Sequence, residues 1–237
     1  MFNFRNLKKF IVLIGLLSFL SSSFAGAYDD FFRAIVADDA RTVQGLLQRG
    51  FDPNTVNPQG LPALMQAMQL PAPKVAELLV VWPKTRVDVR NPQDESPLML
   101  AALRGQLELV KKLVERDADI NKTGWTPLHY AATGGHVPVI EYLLDNSAYI
   151  DAESPNGTTP LMMAAMYGSP EAVKHLIQAG ADLQVKNGAH MTALDFALKG
   201  NRPNNIELMQ EGLRREAARE ARKQAAAASN AAPAPGR

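Results

Sequence analysis

Apolar positions along this chain recur in short paired sets. The runs LMLAAL at 98–103, LHYAA at 128–132 and LMMAAM at 161–166 place leucine, methionine and alanine three and four residues apart. Shortly after each comes a second set: Val110 with Leu113, Ile140 with Leu143, and Val173 with Leu176. Spacing of this kind puts side chains on one face of an α-helix, so each pair of sets predicts two short amphipathic helices. Thr126 and Thr159 stand where an N-cap belongs, and Pro127 and Pro160 follow at the first helical position, where proline is tolerated. Gly105, Gly135 and Gly168 close the first helix of each pair, where a left-handed residue is expected. Asp119-Ile120-Asn121 and Asp182-Leu183 begin an extended turn toward the next pair.

The pairs are in register with one another. TPLHYAATGGHVPVIEYLLDNSAYID begins at Thr126; TPLMMAAMYGSPEAVKHLIQAGADLQ begins 33 residues later at Thr159, and TALDFALKGN another 33 on at Thr192. Upstream, SPLMLAALRGQLELVKKLVERDADIN starts at Ser96, 30 residues before Thr126. A looser copy, LPALMQAMQLPAPKVAELLV, starts at Leu61, and the most degenerate, DDFFRAIVADDARTVQGLLQRGFDPN, near Asp29. A fixed period of this length is the signature of a stacked-repeat architecture.

In its motif, T-P-L-H-x-A-A-x-x-G followed by V-x-x-L-L-x-x-G-A-D-x-N, the sequence resembles the ankyrin repeat family over about residues 28–213. The resemblance implies an all-α solenoid of about six helix-turn-helix units joined by hairpin-like turns. The units fall near 29–60, 61–95, 96–125, 126–158, 159–191 and 192–213. No single unit can bury its apolar face, so stacking makes the core and the ends need caps. The first copy, with Asp29, Asp30, Asp38 and Asp39, and the last, which loses the consensus spacing after Gly200, read as degenerate capping repeats. The Leu61 copy has Leu70-Pro71-Ala72-Pro73 in place of the helix-ending glycine. Its inter-helix turn, and the VVWPKTRVDVRNPQDE segment at 80–95, are expected to be irregular.

The N-terminus adds a different signal. Arg5, Lys8 and Lys9 precede an apolar run of eleven residues, 10–20, and Ala25-Gly26-Ala27 supplies small residues for cleavage. Residues 1–27 therefore read as a secretory signal peptide, cut after Ala27 or after Ala25. The alternative is an uncleaved anchor, for which the run is short against the roughly 20 residues a spanning helix needs. The chain has no cysteine, which excludes disulfides and thiol catalysis and suits a bacterial periplasmic protein better than a small eukaryotic extracellular one. After residue 213 the composition shifts: 28–213 carry 16 basic and 22 acidic side chains, whereas 214–237 carry six basic and two acidic. Residues 214–223 are good helix formers, and the final Ala/Pro/Gly stretch is expected to lack structure. That basic tail is either a solvated solubility element or a contact for its own domain, an acidic partner or an anionic membrane surface.

Catalytic chemistry finds no foothold in the pattern. There is no G-x-S-x-G elbow, no phosphate-binding G-x-x-x-x-G-K-[ST] and no H-E-x-x-H. His129 and His136 stand seven residues apart, about two helical turns, and His175 and His190 lie in other repeats. The slot of His129 holds Met99, Met162 and Asp195 in other copies, so no ring of ligands forms. In the family that histidine bonds neighbouring backbone and bridges adjacent units, which implies a structural role here. No enzyme activity, cofactor or metal is expected, and a formal charge of +1 gives no strong pull toward nucleic acid.

The resemblance implies instead that a protein partner docks on a concave face of hairpin tips and first helices. The tip positions are Gln93 and Glu95, Lys122 and Trp125, Asn156 and Thr158, and Met191; the helix positions are Leu103, Arg104, Thr133, Met166 and Tyr167. Trp, Tyr, Arg and Met are enriched in interface cores. Trp125 has a second reading: it packs over its own hairpin, which lost three residues in this copy. The expected protein is a non-catalytic scaffold, monomeric alone, in the periplasm or secreted, without membrane insertion after cleavage. The alternatives are an inhibitor or immunity protein against a toxin, and a secreted effector acting on host proteins.

Overall fold

The structure, a computed structural model, describes residues 26–231, with side chains through residue 227. The expected leader lies almost wholly outside the described residues, as do residues 232–237. Twelve helices fill the described chain: α1 (26–36), α2 (Ala40–Gln48), α3 (Ala63–Gln69), α4 (Pro73–Val81), α5 (Pro97–Leu103), α6 (Leu107–Val114), α7 (Pro127–Gly134), α8 (Val137–Asp145), α9 (Pro160–Tyr167), α10 (Pro170–Ala179), α11 (Ala193–Lys199) and α12 (Pro203–Ala231). The extended turns contribute one isolated antiparallel bridge, Val56 with Pro62. The chain divides into two compact units, residues 1–97 and 98–237.

In the first unit Phe31, Ile35, Leu64, Met65, Met68 and Leu79 are fully buried. Phe31 stacks against Phe51 at 4.6 Å and edge-on to Phe32 at 5.4 Å, giving the degenerate first copy an aromatic core in place of the motif's leucine and alanine. Its acids do specific work. Asp39 caps α2, accepting hydrogen bonds from the Thr42 hydroxyl at 2.6 Å and the Thr42 N–H at 3.1 Å, and these hold its carboxyl below the usual range. Asp38, with φ +52°, accepts from the Val75 N–H at 2.9 Å and so helps cap α4 in the next copy.

The Leu61 copy, for all its lost consensus, folds as a full helix pair. Pro71 disfavours helical geometry at the residue before it, and Leu70 is extended (φ −85°, ψ 164°) where other copies use glycine. Pro73 then opens α4 at a position that needs no N–H donor. The irregularity expected downstream is present: residues 82–96 form no helix. They are held by side-chain bonds, Asn54 Nδ2 donating to the Lys84 carbonyl at 2.9 Å and the Arg86 N–H donating to Asn54 Oδ1 at 2.8 Å.

The second unit repeats one packing rule. Leu128 and Leu161, with the alanine pairs Ala131/Ala132 and Ala164/Ala165, are 0% exposed, and α7 packs on α9 and α9 on α11. Burying each leucine stabilises by about 2 kcal/mol, and the alanines let helix backbones approach closely. Gly135 takes the expected left-handed geometry at φ +71°. Gly168 does not: at φ −76°, ψ −173° it is extended, which any residue can adopt. Its glycine is required for another reason, since a Cβ there would lie 2.4 Å from the Ala132 carbonyl oxygen of the preceding copy.

The last copy departs furthest. Its second helix does not stop at ordinary length but runs on as α12 for 29 residues. Asn205, Met209 and Gly212 are buried against the preceding copy, whereas every residue from 217 to 227 is exposed. A Cβ at Gly212 would meet Leu183 Cδ1 at 2.8 Å, which explains a glycine inside a helix. Helix continues through residues 224–231, beyond the 214–223 segment expected to form one, because alanine has the highest helix propensity.

Candidate functional site

His129 is where chemistry would be sought first, and the structure gives it a different task. Its ring is 0% exposed. The Thr126 N–H reaches Nδ1 at 3.1 Å and the Thr126 hydroxyl lies 2.9 Å from the same atom. Nε2 lies 2.8 Å from the Thr158 carbonyl in the next copy. A peptide N–H only donates and a carbonyl only accepts, so Nδ1 is the acceptor, Nε2 carries the hydrogen, and the hydroxyl donates. A second proton has nowhere to go. Burial, opposed by backbone hydrogen bonds, pushes the His129 pKa down to about 4. The ring therefore ties two copies together as a neutral group.

His136 does similar service, its Nε2 lying 3.0 Å from the Leu103 carbonyl. Among the described residues no three histidine, aspartate or glutamate side chains converge as a metal site, and no helix is long and apolar enough to cross a membrane.

The expected docking residues fall into several environments. In the first unit Gln93 is exposed, while Asn91 Nδ2 donates to the half-buried Glu95 carboxylate at 2.6 Å. In the second unit Arg104 and Asn156 are exposed, and Leu103, Lys122, Met166 and Met191 are half-buried. Thr133 is half-buried with its hydroxyl donating to the His129 carbonyl at 2.8 Å, so only its methyl remains for contact. Tyr167 is 53% exposed.

Two positions differ from expectation. Thr158, placed in the docking set by its location beside a hairpin tip, is only 2% exposed. Its N–H is bonded to Ser154 and its carbonyl to His129, so it belongs to the frame and leaves the docking set. Trp125 is half-buried and meets His129 edge-on, ring centroids 5.1 Å apart. Of its two readings, packing over the shortened hairpin describes most of its surface.

The structure also brings forward residues that sequence mapping passed over. On α7, α9 and α11 the positions three residues before Thr133, Met166 and Lys199 are Tyr130, Met163 and Phe196, all half-exposed. Residues i, i+3 and i+4 share a helix face. Tyr130 with Thr133, Met163 with Met166 and Tyr167, and Phe196 with Lys199 therefore line the side of these helices opposite their buried alanines. The helical period that located the core would have found this row; mapping by tip and helix end stepped over it.

A layer of paired helices with its core on one side and a continuous aromatic and methionine strip on the other defines a repeat protein with a recognition surface. The family profile described as Ankyrin repeats (3 copies) matches residues 31–123, 64–154, 98–187 and 147–215, and the chain belongs to that family. It is 37% identical over 134 residues to the mouse Ankyrin repeat and SAM domain-containing protein 6, covering 54% of this chain and 14% of that protein. It is 36% identical over 132 residues to the Caenorhabditis elegans Ankyrin repeat and KH domain-containing protein mask-1, covering 55% and 5%, respectively. The chicken nuclear factor NF-kappa-B p105 subunit is 30% identical over 161 residues, covering 65% and 16%. The chain thus spans a small fraction of these relatives' lengths. Ankyrin repeats are protein–protein interaction modules, and that much applies directly.

Proposed function

We propose that this protein is a non-catalytic scaffold of the bacterial periplasm that docks a client protein on the exposed first-helix face of its second unit. The observation that carries the reading is Tyr167: a large aromatic side chain 53% exposed, on a helix whose core positions are already filled. Met163 and Met166 beside it add adaptable apolar surface, and the stacked helices beneath hold the strip rigid, so little ordering cost attends binding. Arg104 and the hairpin-tip residues Lys122, Asn156 and Met191 flank this face as its polar rim. The export signal read at residues 1–27 supports the location, and fractionation tests it. The mature chain is expected in the periplasm beginning at Tyr28 or Gly26; an intact Met1 in the membrane fraction would remove the periplasmic assignment.

Affinity purification of the mature protein from its own periplasm, repeated with Tyr167→Ala, tests the docking. A client lost from the variant while the melting curve is unchanged supports the face. Equal recovery moves the site elsewhere. A single toxin held in a stable one-to-one complex would make the protein an inhibitor, and recovery from host cells would make it an effector.

A further inference from the structure

The strip on α7, α9 and α11 sorts charge more strictly than the rest of the chain. Residues 28–213 carry 22 acids against 16 bases, yet these three helices contain one acid, Asp195. Its Oδ2 accepts hydrogen bonds from the Thr192 N–H at 2.7 Å and the Thr192 hydroxyl at 2.8 Å, which commits it to the start of α11. Exposed acids of this unit stand on the second helices and turns instead, as at Glu108, Glu141 and Glu171. The exposed charge on the strip itself is Lys199. Lys186, on the loop ahead of α11, lies close enough to help lower the Asp195 pKa, so it borders the same surface. Glu153 is the one exposed acid in the loop between α8 and α9.

We infer that this face is built for an acidic protein segment, one whose aliphatic or aromatic side chains cover Tyr130, Met163 and Phe196 while its carboxylates meet Lys199 and Lys186. The inference rests on the docking reading above and names the chemistry of the client. Apolar cover supplies affinity, and the two cations set the sign of charge and steer encounter. A basic segment would bring like charge onto Lys199 and be rejected. The acidic second helices keep the rest of the unit from competing for the same segment.

The test selects a random peptide library on the full chain, then measures one synthesised winner by fluorescence anisotropy. Winners are expected to combine Asp or Glu with Leu, Phe, Tyr or Trp. Lys186→Glu with Lys199→Glu should weaken binding about tenfold or more, whereas Lys174→Glu, an exposed lysine on α10, should leave it unchanged. Both variants alter exposed side chains, and circular dichroism confirms that they fold. Neutral or basic winners that still lose affinity in Tyr167→Ala would overturn the acidic client and leave the docking face standing. Winners indifferent to both Tyr167→Ala and the double lysine variant would overturn both. Concentration-dependent dimerisation of the chain alone, abolished by Lys199→Glu, would make a second copy the occupant and also overturn the proposal.

Discussion

Lowering the pH should weaken this protein through His129 in particular. The folded ring has a pKa of about 4 against 6.5 for an unconstrained histidine. Below pH 6.5 the unfolded chain therefore takes up a proton that the folded chain refuses. A depressed histidine pKa thus contributes stability at neutral pH that drains away as pH falls from 6.5 toward 4. The linkage is worth 1.36 kcal/mol per pH unit across that window, so about 2 kcal/mol is lost between roughly pH 7 and pH 4.5. His129→Leu removes the titrating group. It also leaves the Thr126 N–H and Thr158 carbonyl without their partner, at a cost of about 2–4 kcal/mol at neutral pH. The measurement is urea unfolding by circular dichroism at both pH values, for both proteins. The variant should start lower and fall about 2 kcal/mol less; His136, His175, His190 and all carboxylates cancel because both proteins contain them. A variant with the wild-type pH slope would refute the assignment. So would a His129 ring resonance titrating near 6.5 by NMR.

Three further outcomes can be measured alongside. Ser169→Ala removes the hydroxyl that caps α10 by accepting from the Ala172 N–H at 3.2 Å and that donates to the Gly135 carbonyl at 3.1 Å; it should cost about 1–2 kcal/mol in urea unfolding. Gly168→Ala should cost about 2 kcal/mol or more, because the added Cβ meets the Ala132 carbonyl at 2.4 Å, and a neutral result would mean the copies slide apart easily. Trp125→Ala should lower the melting temperature by several degrees through loss of its packing on His129, and a loss of client binding without that drop would restore it to the docking face.

Much of this fold can be read from spacing alone, because each repeat writes its local rules into neighbouring residues. Thr159 and Thr192 cap their helices through hydrogen bonds to residues three positions on, and a helical period of three and four predicts which side of α7 and α9 is buried. Gly168 shows where such reading stops. Its sequence context matches Gly135, yet one needs a left-handed backbone and the other an absent Cβ, a distinction set by a carbonyl in the preceding copy. Thr158 failed as a docking residue for a similar reason: its neighbours in sequence are exposed, but His129 draws its carbonyl inward. The α7–α9–α11 strip depends on three copies at once, with Tyr130, Met163 and Phe196 separated by 33 residues each.

The continuity of α12 gives the C-terminal segment a role that composition does not suggest. A solitary helix of alanine, arginine and glutamate is marginal in water, since its first turn must order several residues for one hydrogen bond. Here that nucleus is supplied by Asn205, whose Nδ2 donates to the Ala165 carbonyl at 2.9 Å, together with the buried Met209 and Gly212. The helicity of residues 214–231 is thereby thermodynamically coupled to the folding of the last repeat. Fraying of that repeat would melt the arm beyond it, and anything that grips the arm as a helix would, by the same coupling, tighten the end of the stack.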